Sequence, residues 1–446
     1  MNLDPQVWPA STRAGTDGAL SVGGVDLRAL AAEHGTPVFV LDETDFRARA
    51  RGFVDSFRAA FDELGVPVDV YYAGKAFLSV AVARWAHAEG LRIDTATGGE
   101  LAVALRAGIP GTDIGLHGNN KSDSEIARAL DAGVGRIVID SLTEVHRVAD
   151  AAARAGRRAP VMVRLTTGVH AGNHEFVATA HEDQKFGLSI AGGQAMAALQ
   201  AVLSRPELEL IGVHSHIGSQ ILDPAGFEVA ARAVLELRAE LLAATGYLLP
   251  EVDLGGGYGI AYRPGEGPLD PVRVAKGLAA VVEEGCAALR TPLPRISIEP
   301  GRAIVGPAML TLYEVGTVKP VTVDETLTRL YVSVDGGMSD NLRPALYGAS
   351  YTAALASRAG SADRVPARVV GKHCESGDVV VHDVDLPADI ARGDLLAVPA
   401  TGAYGRSMAS NYNHIPRPPV VAVRDGVATV IIRRETEDDV LALDLG

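Results

Sequence analysis

Polar residues and glycines recur directly after predicted β-strands. Lys75 follows DVYYAG, Asp94 lies near the end of LRIDT, and Arg164 lies near the end of PVMVRL. The same position after later strands is taken by His214, His216, Ser219, Gly255, Gly256, Gly257, Glu299, Gly301 and Arg302. Strand interiors favour apolar side chains, and barrels of parallel strands place their catalytic loops at the carboxyl ends of the strands. Packing alone is therefore a poor explanation for this placement.

Two of these features have a plain and a chemical interpretation. A lysine such as Lys75 is commonly a solvated surface residue, but partial desolvation at the end of an apolar strand would lower its pKa and allow imine formation. The glycines at 255–257 form either an ordinary tight turn or a cradle of backbone N–H groups for a phosphate. They match neither a Walker A loop nor a Rossmann fingerprint.

The two histidines of the HSHIGS run stand at i and i+2, so they share one face of a strand. A zinc site needs further ligands, and none is signalled nearby. An imidazole stacked on an aromatic cofactor fits equally well, and for His214 a satisfied core histidine is at least as common. We predict no metal.

Acidic residues mark two further segments. In EPGR, Glu299 and Arg302 form either a surface ion pair or a functional pair, in which the carboxylate keeps a ring nitrogen protonated and the guanidinium binds an anion. In CESGD, Cys374 lies beside Glu375. A lone cysteine is commonly a small buried apolar residue. Acidic neighbours raise the pKa of a thiol, which suits a proton donor better than a nucleophile.

Short strands alternate with amphipathic helices from about residue 38 to 300, which predicts parallel βαβ units. About eight repeats favour an α/β fold with a closed (β/α)8 TIM-like barrel, and an open doubly wound sheet is the alternative. The count leaves one strand too many, and 38–41 is the candidate that belongs elsewhere.

The pattern changes after about residue 305, where short strands and turns dominate. RDG at 424–426 predicts a β-hairpin. We therefore predict an N-terminal segment (1–37) that packs with the β domain, a barrel (38–305) and a mostly-β C-terminal barrel or sandwich domain (306–446).

Composition excludes several classes of protein. The chain has 446 residues, a formal charge of −14 and two cysteines. An acidic protein is a poor ligand for nucleic acid or anionic membranes, and two distant cysteines form no disulfide framework. No signal peptide or membrane span is apparent. We expect a cytoplasmic protein without a nucleic-acid or membrane partner.

The motifs together resemble those of the fold-type III pyridoxal-phosphate-dependent decarboxylases, whose barrel is similar to that of alanine racemase. The matching segments keep the family's order over nearly the whole chain. They are YYAGKAF (71–77), DTATGGE (94–100), HEDQKFG (181–187), GVHSHIGSQ (212–220), DLGGGYG (253–259), EPGRAIVGPA (299–308), VDGGMSDNLRPALYGA (334–349), CESGD (374–378) and GAYGRSMASNYN (402–413).

The resemblance implies a role for each matching residue. Lys75 resembles the Schiff-base lysine, His216 the imidazole on the pyridine face, and Glu299 the partner of the pyridine nitrogen. Cys374 resembles the proton donor. Further contacts implied for the cofactor are Asp94, Arg164, Ser219, Gly255, Gly256, Gly257, Gly301, Arg302 and Tyr404; those implied for the substrate are Arg302, Arg343, Tyr347, Glu375 and Tyr404.

The resemblance also implies an activity and an assembly. It is strongest to the members that convert meso-2,6-diaminopimelate to L-lysine and CO2, the last step of lysine biosynthesis, with pyridoxal 5′-phosphate as cofactor. Another basic amino acid or a carboxylated polyamine is the alternative substrate. The implied assembly is a homodimer with shared active sites, in which the CESGD loop comes from the partner subunit.

Overall fold

The computed structural model describes residues 3–168, 185–324 and 328–446. The chain divides into two compact units. The barrel unit comprises Arg49–Gly259 and Leu269–Gly301, and the β unit comprises Met1–Ala48, Ile260–Pro268 and Arg302–Gly446. The helix Glu43–Asp62 continues from one unit into the other.

Eight parallel strands close into a barrel within the described part of the barrel unit. The ring closes where Ile137 pairs with Val161 and where Ile296 pairs with Val68. The strands are Val68–Ala73, Arg92–Thr95, Ile114–Leu116, Arg136–Ile139, Ala159–Thr166, Leu208–Ser215, Glu251–Asp253 and Arg295–Ile298. The predicted barrel fold is confirmed, and the open sheet is excluded.

Helices alternate with these strands as the amphipathic pattern predicts. They are Val80–Ala88, Gly98–Arg106, Asp123–Ala132, Leu142–Ala155, Gln194–Leu203, Ala225–Thr245 and Pro271–Leu289. Hydroxyl residues fix several helix starts: Thr97 accepts from the N–H of Glu100, and Ser122 forms a capping box with Glu125. Such caps end the loops at defined residues, so the loops that carry the polar side chains are short.

The β unit contains the surplus strand candidate, which is not part of the barrel. Val38–Asp42 pairs antiparallel with Met309–Thr322 and parallel with Val420–Arg424. The surplus candidate at 38–41 thus belongs to the second sheet. The division by contacts differs from the sequence-based bounds by the short segments 38–48, 260–268 and 302–305.

The remaining elements of the β unit are mostly strands. They are Arg13–Ala14, Leu20–Val22, Val25–Asp26, Thr328–Val334, Ala354–Leu355, Arg364–Val370, Val379–Pro387, Leu395–Val398 and Val427–Ile432, with the helices Leu27–His34, Arg302–Val305, Arg343–Tyr347 and Glu437–Leu441. The N-terminal segment is hydrogen-bonded here, because Leu20 N–H donates to Ala356 O at 2.9 Å.

The predicted hairpin is also present, with Arg424 paired to Val427. Asp425 and Gly426, the two residues of its turn, have φ values of 50° and 79°. This is the left-handed geometry that an Asp-Gly pair favours.

No helix in residues 3–168, 185–324 and 328–446 combines the length and apolar character that a bilayer crossing requires.

Candidate active site

One cleft of the barrel unit collects polar side chains from the carboxyl ends of the barrel strands. Its lining includes Lys75, Asp94, Thr95, Glu100, His117, Arg164, Phe186, His214, His216 and Glu299. Six of the residues singled out from the sequence (Lys75, Asp94, Arg164, His214, His216 and Glu299) therefore share one cavity. The parallel register produces this convergence, because all the strands end on the same side of the closed sheet.

Glu299 lies at the centre of a buried acid–imidazole cluster. Its Oε1 is 3.1 Å from His214 Nε2 and 3.3 Å from His117 Nε2. Asp94 Oδ1 lies 3.2 Å from the same His117 nitrogen. These distances suit ion pairs, yet the angles leave all of these atoms without a hydrogen bond to any described residue. The side chains of the cluster thus lie close together, but these four atoms have no hydrogen bond to a described residue.

Burial dominates the protonation of this cluster. It lowers the pKa of both His117 and His214 to about 3, and it lowers that of His216 well below its usual range. It raises the pKa of Glu299, with the charge of Asp94 as the next cause, and raises that of Asp94 strongly. The imidazoles are thus neutral, and a cation placed beside Glu299 would stabilise its carboxylate.

Lys75 supplies an accessible amine to this cleft. It lies in the single turn Gly74–Ala76 after Val68–Ala73, and the residue is exposed. The partial desolvation predicted from its apolar approach is therefore not observed. Its positive charge acts on Asp94 and Glu299, where it opposes the effect of burial on their pKa values.

The glycine turn, residues 255–257, packs against two lining residues of the cleft. The N–H of Gly256 donates to His216 Nδ1 at 3.3 Å, so the neutral ring carries its proton on Nε2. A Cβ on Gly256 would lie 2.1 Å from the carbonyl oxygen of Glu299, and one on Gly257 would lie 2.3 Å from that of Gly218. Only glycine fits this turn.

Two more predicted residues lie beside these elements. Ser219 follows Gly218 directly, in the segment against which the glycine turn packs. Gly301 approaches the strand that leads to Lys75, since its Cβ would lie 2.9 Å from Ala73 O. Neither belongs to the cleft lining itself.

Arginines and tyrosines form a separate cluster in the β unit. Arg343 is buried, donates to the hydroxyl of Tyr351 at 2.7 Å and lies over the ring of Tyr262 at 4.6 Å. Arg302 donates to Tyr262 and lies over the ring of Tyr404 at 4.8 Å. The structure therefore groups three of the predicted substrate residues, namely Arg302, Arg343 and Tyr404.

The other predicted substrate residues and the predicted proton donor, Cys374, are exposed. Tyr347 shares the helix of Arg343 but is 50% exposed, and Cys374 and Glu375 lie in an exposed turn. Asp378 anchors that turn by accepting from the N–H groups of His373 and Met338 at 2.8 and 2.6 Å. The thiol thus lies on a tethered surface turn rather than in a core.

Sequence reasoning missed His117, Tyr262 and Tyr351. His117 follows Ile114–Leu116, so the strand-end rule applied to DIGLHG would have found it. The two tyrosines lie in segments without a recognisable motif. Residues 181–184, which open the HEDQKFG motif with His181, lie outside the described residues, as does most of the loop at 167–185.

The donor atoms of the cluster also resemble a metal-ligand set. His117, His214 and Glu299 each offer one ligand atom, and these atoms lie within 4.8 Å of one another. The sequence offered His214 and His216 as the candidate pair. In the structure His214 is instead grouped with His117 and Glu299, which follow other strands of the ring. The expectation of no metal stays a prediction.

A family model described as "Pyridoxal-dependent decarboxylase, pyridoxal binding domain" matches residues 50–306, more than half of the chain. The chain belongs to this family. The resemblance found in the sequence motifs is thereby confirmed, and the cleft lies in the part of the chain that the family model covers.

Relatives match over the full length. A diaminopimelate decarboxylase of Mycobacterium tuberculosis is 52% identical, over 100% of this chain and 99% of the relative. One of Bacillus subtilis is 44% identical, over 98% and 97%. The crystal structure of diaminopimelate decarboxylase from M. jannaschii in complex with L-lysine aligns with a TM-score of 0.90 at 30% identity, covering 98% of both chains.

His117→Gln is expected to make the cofactor-free chain less sensitive to acid. The unfolded chain binds a proton at this histidine below pH 6.5, whereas the folded chain does so only near its pKa of about 3. The wild-type chain therefore loses stability as pH falls from 6.5, by up to about 1.4 kcal/mol per pH unit for this group. Urea unfolding at pH 7.5, 6.5 and 5.5 measures the difference.

His146→Gln is the matched control, because His146 is an exposed histidine of the same unit. It should leave the pH dependence as in wild type. Equal losses of stability in wild type and His117→Gln on acidification would contradict the neutral, buried imidazole.

Proposed function

We propose that this chain decarboxylates meso-2,6-diaminopimelate to L-lysine and CO2, with pyridoxal 5′-phosphate bound in the barrel cleft. The observation that carries the proposal is the cleft itself. One accessible amine, a neutral imidazole and a buried carboxylate oxygen without a hydrogen bond to any described residue converge there, in a member of this decarboxylase family.

The residues of the cleft fit this cofactor. A protonated pyridine nitrogen would give Glu299 Oε1 the hydrogen bond that no described residue provides. The amine of Lys75 is accessible to the aldehyde, and the glycine turn packs against His216 and Glu299 of the same cleft. Arg164 adds a partly buried positive charge to the lining.

Bound here, the cofactor supplies an aldehyde that captures the substrate amine and an electron-poor ring that accepts the electron pair left when CO2 departs. Glu299 would keep the ring nitrogen of the bound cofactor protonated, and Lys75 Nζ would hold its aldehyde when no substrate is present. His216 would contact the ring as a neutral imidazole, because its Nδ1 accepts from the N–H of Gly256.

Cys374 Sγ donates the proton that replaces the lost carboxylate at Cα, which balances the release of CO2. Its exposed position on the tethered turn suits a residue that completes the site of a second copy of the chain. We therefore include a homodimer with shared active sites in the proposal.

Arg343 binds the distal carboxylate of the substrate, and Glu375 its distal ammonium. Among the described residues Arg343 forms no ion pair, and its contacts are the hydroxyl and rings of Tyr351 and Tyr262. A buried guanidinium whose side-chain partners are tyrosines has a positive charge that an anionic ligand can pair with. This favours a substrate with a second carboxylate over a simple basic amino acid.

Lys75→Ala should abolish both the absorbance at about 420 nm from cofactor linked to the chain and all turnover. Lys276→Ala is the control, since Lys276 is an exposed lysine on the helix Pro271–Leu289. Borohydride reduction followed by mass spectrometry locates the linked residue. Attachment that persists in Lys75→Ala would refute the assignment.

Arg343→Met should lower kcat/KM for meso-2,6-diaminopimelate by about 30-fold or more, because a buried charged contact of this kind is worth at least about 2 kcal/mol. CO2 release from diaminopimelate, L-lysine, L-ornithine and L-arginine measures the effect. Diaminopimelate should be the fastest substrate of the wild-type chain. Faster release from another member of the panel would favour the alternative of a different basic amino acid.

Gly256→Ala should weaken binding of pyridoxal 5′-phosphate by about tenfold or more, since the new Cβ would push the turn away from Glu299. Fluorescence titration of the cofactor-free chain measures this affinity, and circular dichroism checks the fold. Gly52→Ala is the control, because a Cβ there meets nothing within 4 Å. Unchanged affinity in Gly256→Ala would remove the glycine turn from the phosphate site.

A further inference from the structure

A layer of charged and polar side chains lies inside the barrel. Arg136, Glu251, Asp253 and Ser297 come from three strands of the ring and are 2%, 6%, 0% and 0% exposed. Barrel interiors are normally filled by layers of bulky apolar side chains. The layer therefore needs an explanation other than packing.

Arg136 joins the members of this layer. Its Nη2 donates to Glu251 Oε1 at 2.7 Å, and its Nη1 donates to Asp253 Oδ2 at 3.0 Å and to Ser297 Oγ at 3.1 Å. The guanidinium also lies over the ring of Tyr71 at 4.1 Å. One cation thus holds two buried carboxylates.

Asp253 connects the layer to the glycine turn. Its Oδ2 faces Arg136, while its Oδ1 accepts from the N–H of Gly255 at 2.8 Å. The carbonyl of Gly255 in turn accepts from the N–H of Glu299 at 2.9 Å. A single carboxylate therefore connects the buried cation to the first residue of the turn.

The layer carries an energetic cost that a purely structural role does not explain. Buried ion pairs contribute little net stability, and apolar replacements of similar volume are often neutral or stabilising. Burial, together with the charge of Glu299, raises the pKa of Asp253 to about 6, and Arg136 opposes that rise. Without Arg136, Oδ2 of Asp253 would be a buried carboxylate oxygen whose cation has been removed, and that cost would favour a shift of the side chain away from Gly255.

We propose that Arg136 is a positioning residue for the cofactor phosphate: it holds Asp253 by Oδ2, and Asp253 fixes the glycine turn through the N–H of Gly255. The inference rests on the proposed function, since it takes the turn to be the site of the phosphate of pyridoxal 5′-phosphate. Arg136 acts through Asp253 and does not itself contact the cofactor.

Arg136→Met tests the link, with Arg136→Met/Asp253→Asn as its rescue. Methionine leaves Asp253 unpaired, so the dissociation constant of pyridoxal 5′-phosphate should rise by about tenfold. In the double variant the neutral amide oxygen of asparagine accepts from Gly255 without needing a cation, so the constant should return to within about threefold of wild type.

Glu251→Gln is the matched control. It removes the other carboxylate on the same guanidinium and leaves the bond between Asp253 and Gly255 intact. The dissociation constant should stay within about threefold of wild type even if the melting temperature falls. Asp253→Ala, which removes the acceptor itself, should weaken binding as Arg136→Met does and replaces that variant if it fails to fold.

Hydrogen exchange of the cofactor-free chain supplies a readout independent of binding. In Arg136→Met and Asp253→Ala, a peptide spanning Asp253–Tyr258 should exchange faster, while one from the strand Ala159–Thr166 should not change. In the double variant and in Glu251→Gln, the first peptide should exchange as in wild type.

The outcomes separate the two proposals. Failure of the wild-type chain to bind pyridoxal 5′-phosphate would overturn the proposed function, whereas the exchange experiment would still test the link to the turn. Equal affinities in wild type, Arg136→Met and Asp253→Ala would overturn the positioning role. So would a loss of affinity in Glu251→Gln as large as that in Arg136→Met, because the layer would then act only through barrel stability.

Discussion

The candidate active site depends on one constraint, a buried carboxylate oxygen, Glu299 Oε1, that has no hydrogen bond to any described residue. Glu299 lies among two neutral imidazoles and Asp94, and none of them offers its Oε1 a well-aligned donor. Leaving such a group unsatisfied costs a desolvation penalty of about 1–3 kcal/mol or more. A ligand that brings a positive N–H removes this cost on binding. The arrangement of these side chains therefore favours a ligand that presents a positively charged N–H to Glu299.

Closure of the parallel sheet makes this arrangement possible. Residues distant in sequence, such as Asp94 and Glu299, become neighbours because the strands that carry or precede them end on the same side of the ring. The helix caps fix where each loop ends, so the polar side chains are held by short, defined segments. The glycine turn then lets the backbone approach Glu299 and His216 more closely than any other residue type would permit.

Local patterns predicted what is local in the fold. The alternation of strands and helices, the turn at Asp425–Gly426 and the polar residues at strand ends depend on neighbours in sequence, and the structure contains all of them. Which strands pair with each other cannot be predicted from neighbouring residues. A short apolar strand such as Val38–Asp42 fits a barrel and a mixed sheet equally well, and only the distant strands Met309–Thr322 and Val420–Arg424 decide.

The same limit applied to the site residues. His117 was within reach of the strand-end rule, but its contacts with Asp94 and Glu299 come from the ring and not from its own segment. Exposure was also unpredictable: an apolar strand leads to Lys75, yet the residue lies at the accessible surface of the cleft.

The barrel contains two groups of buried charged side chains. The group around Arg136 is hydrogen-bonded within the fold, whereas the group around Glu299 is left for a ligand to bind. In the layer around Arg136 each carboxylate has a donor, so the cost of burial is largely offset within the fold. In the cluster around Glu299 the aligned donors are missing among the described residues, so the cost is offset only by a ligand. Asp253 belongs to the first group but is raised in pKa by Glu299, a member of the second. A ligand that changes the charge at Glu299 therefore also changes the pKa of Asp253. Because Asp253 is held by Arg136, its hydrogen bond to Gly255 limits how far the glycine turn can move.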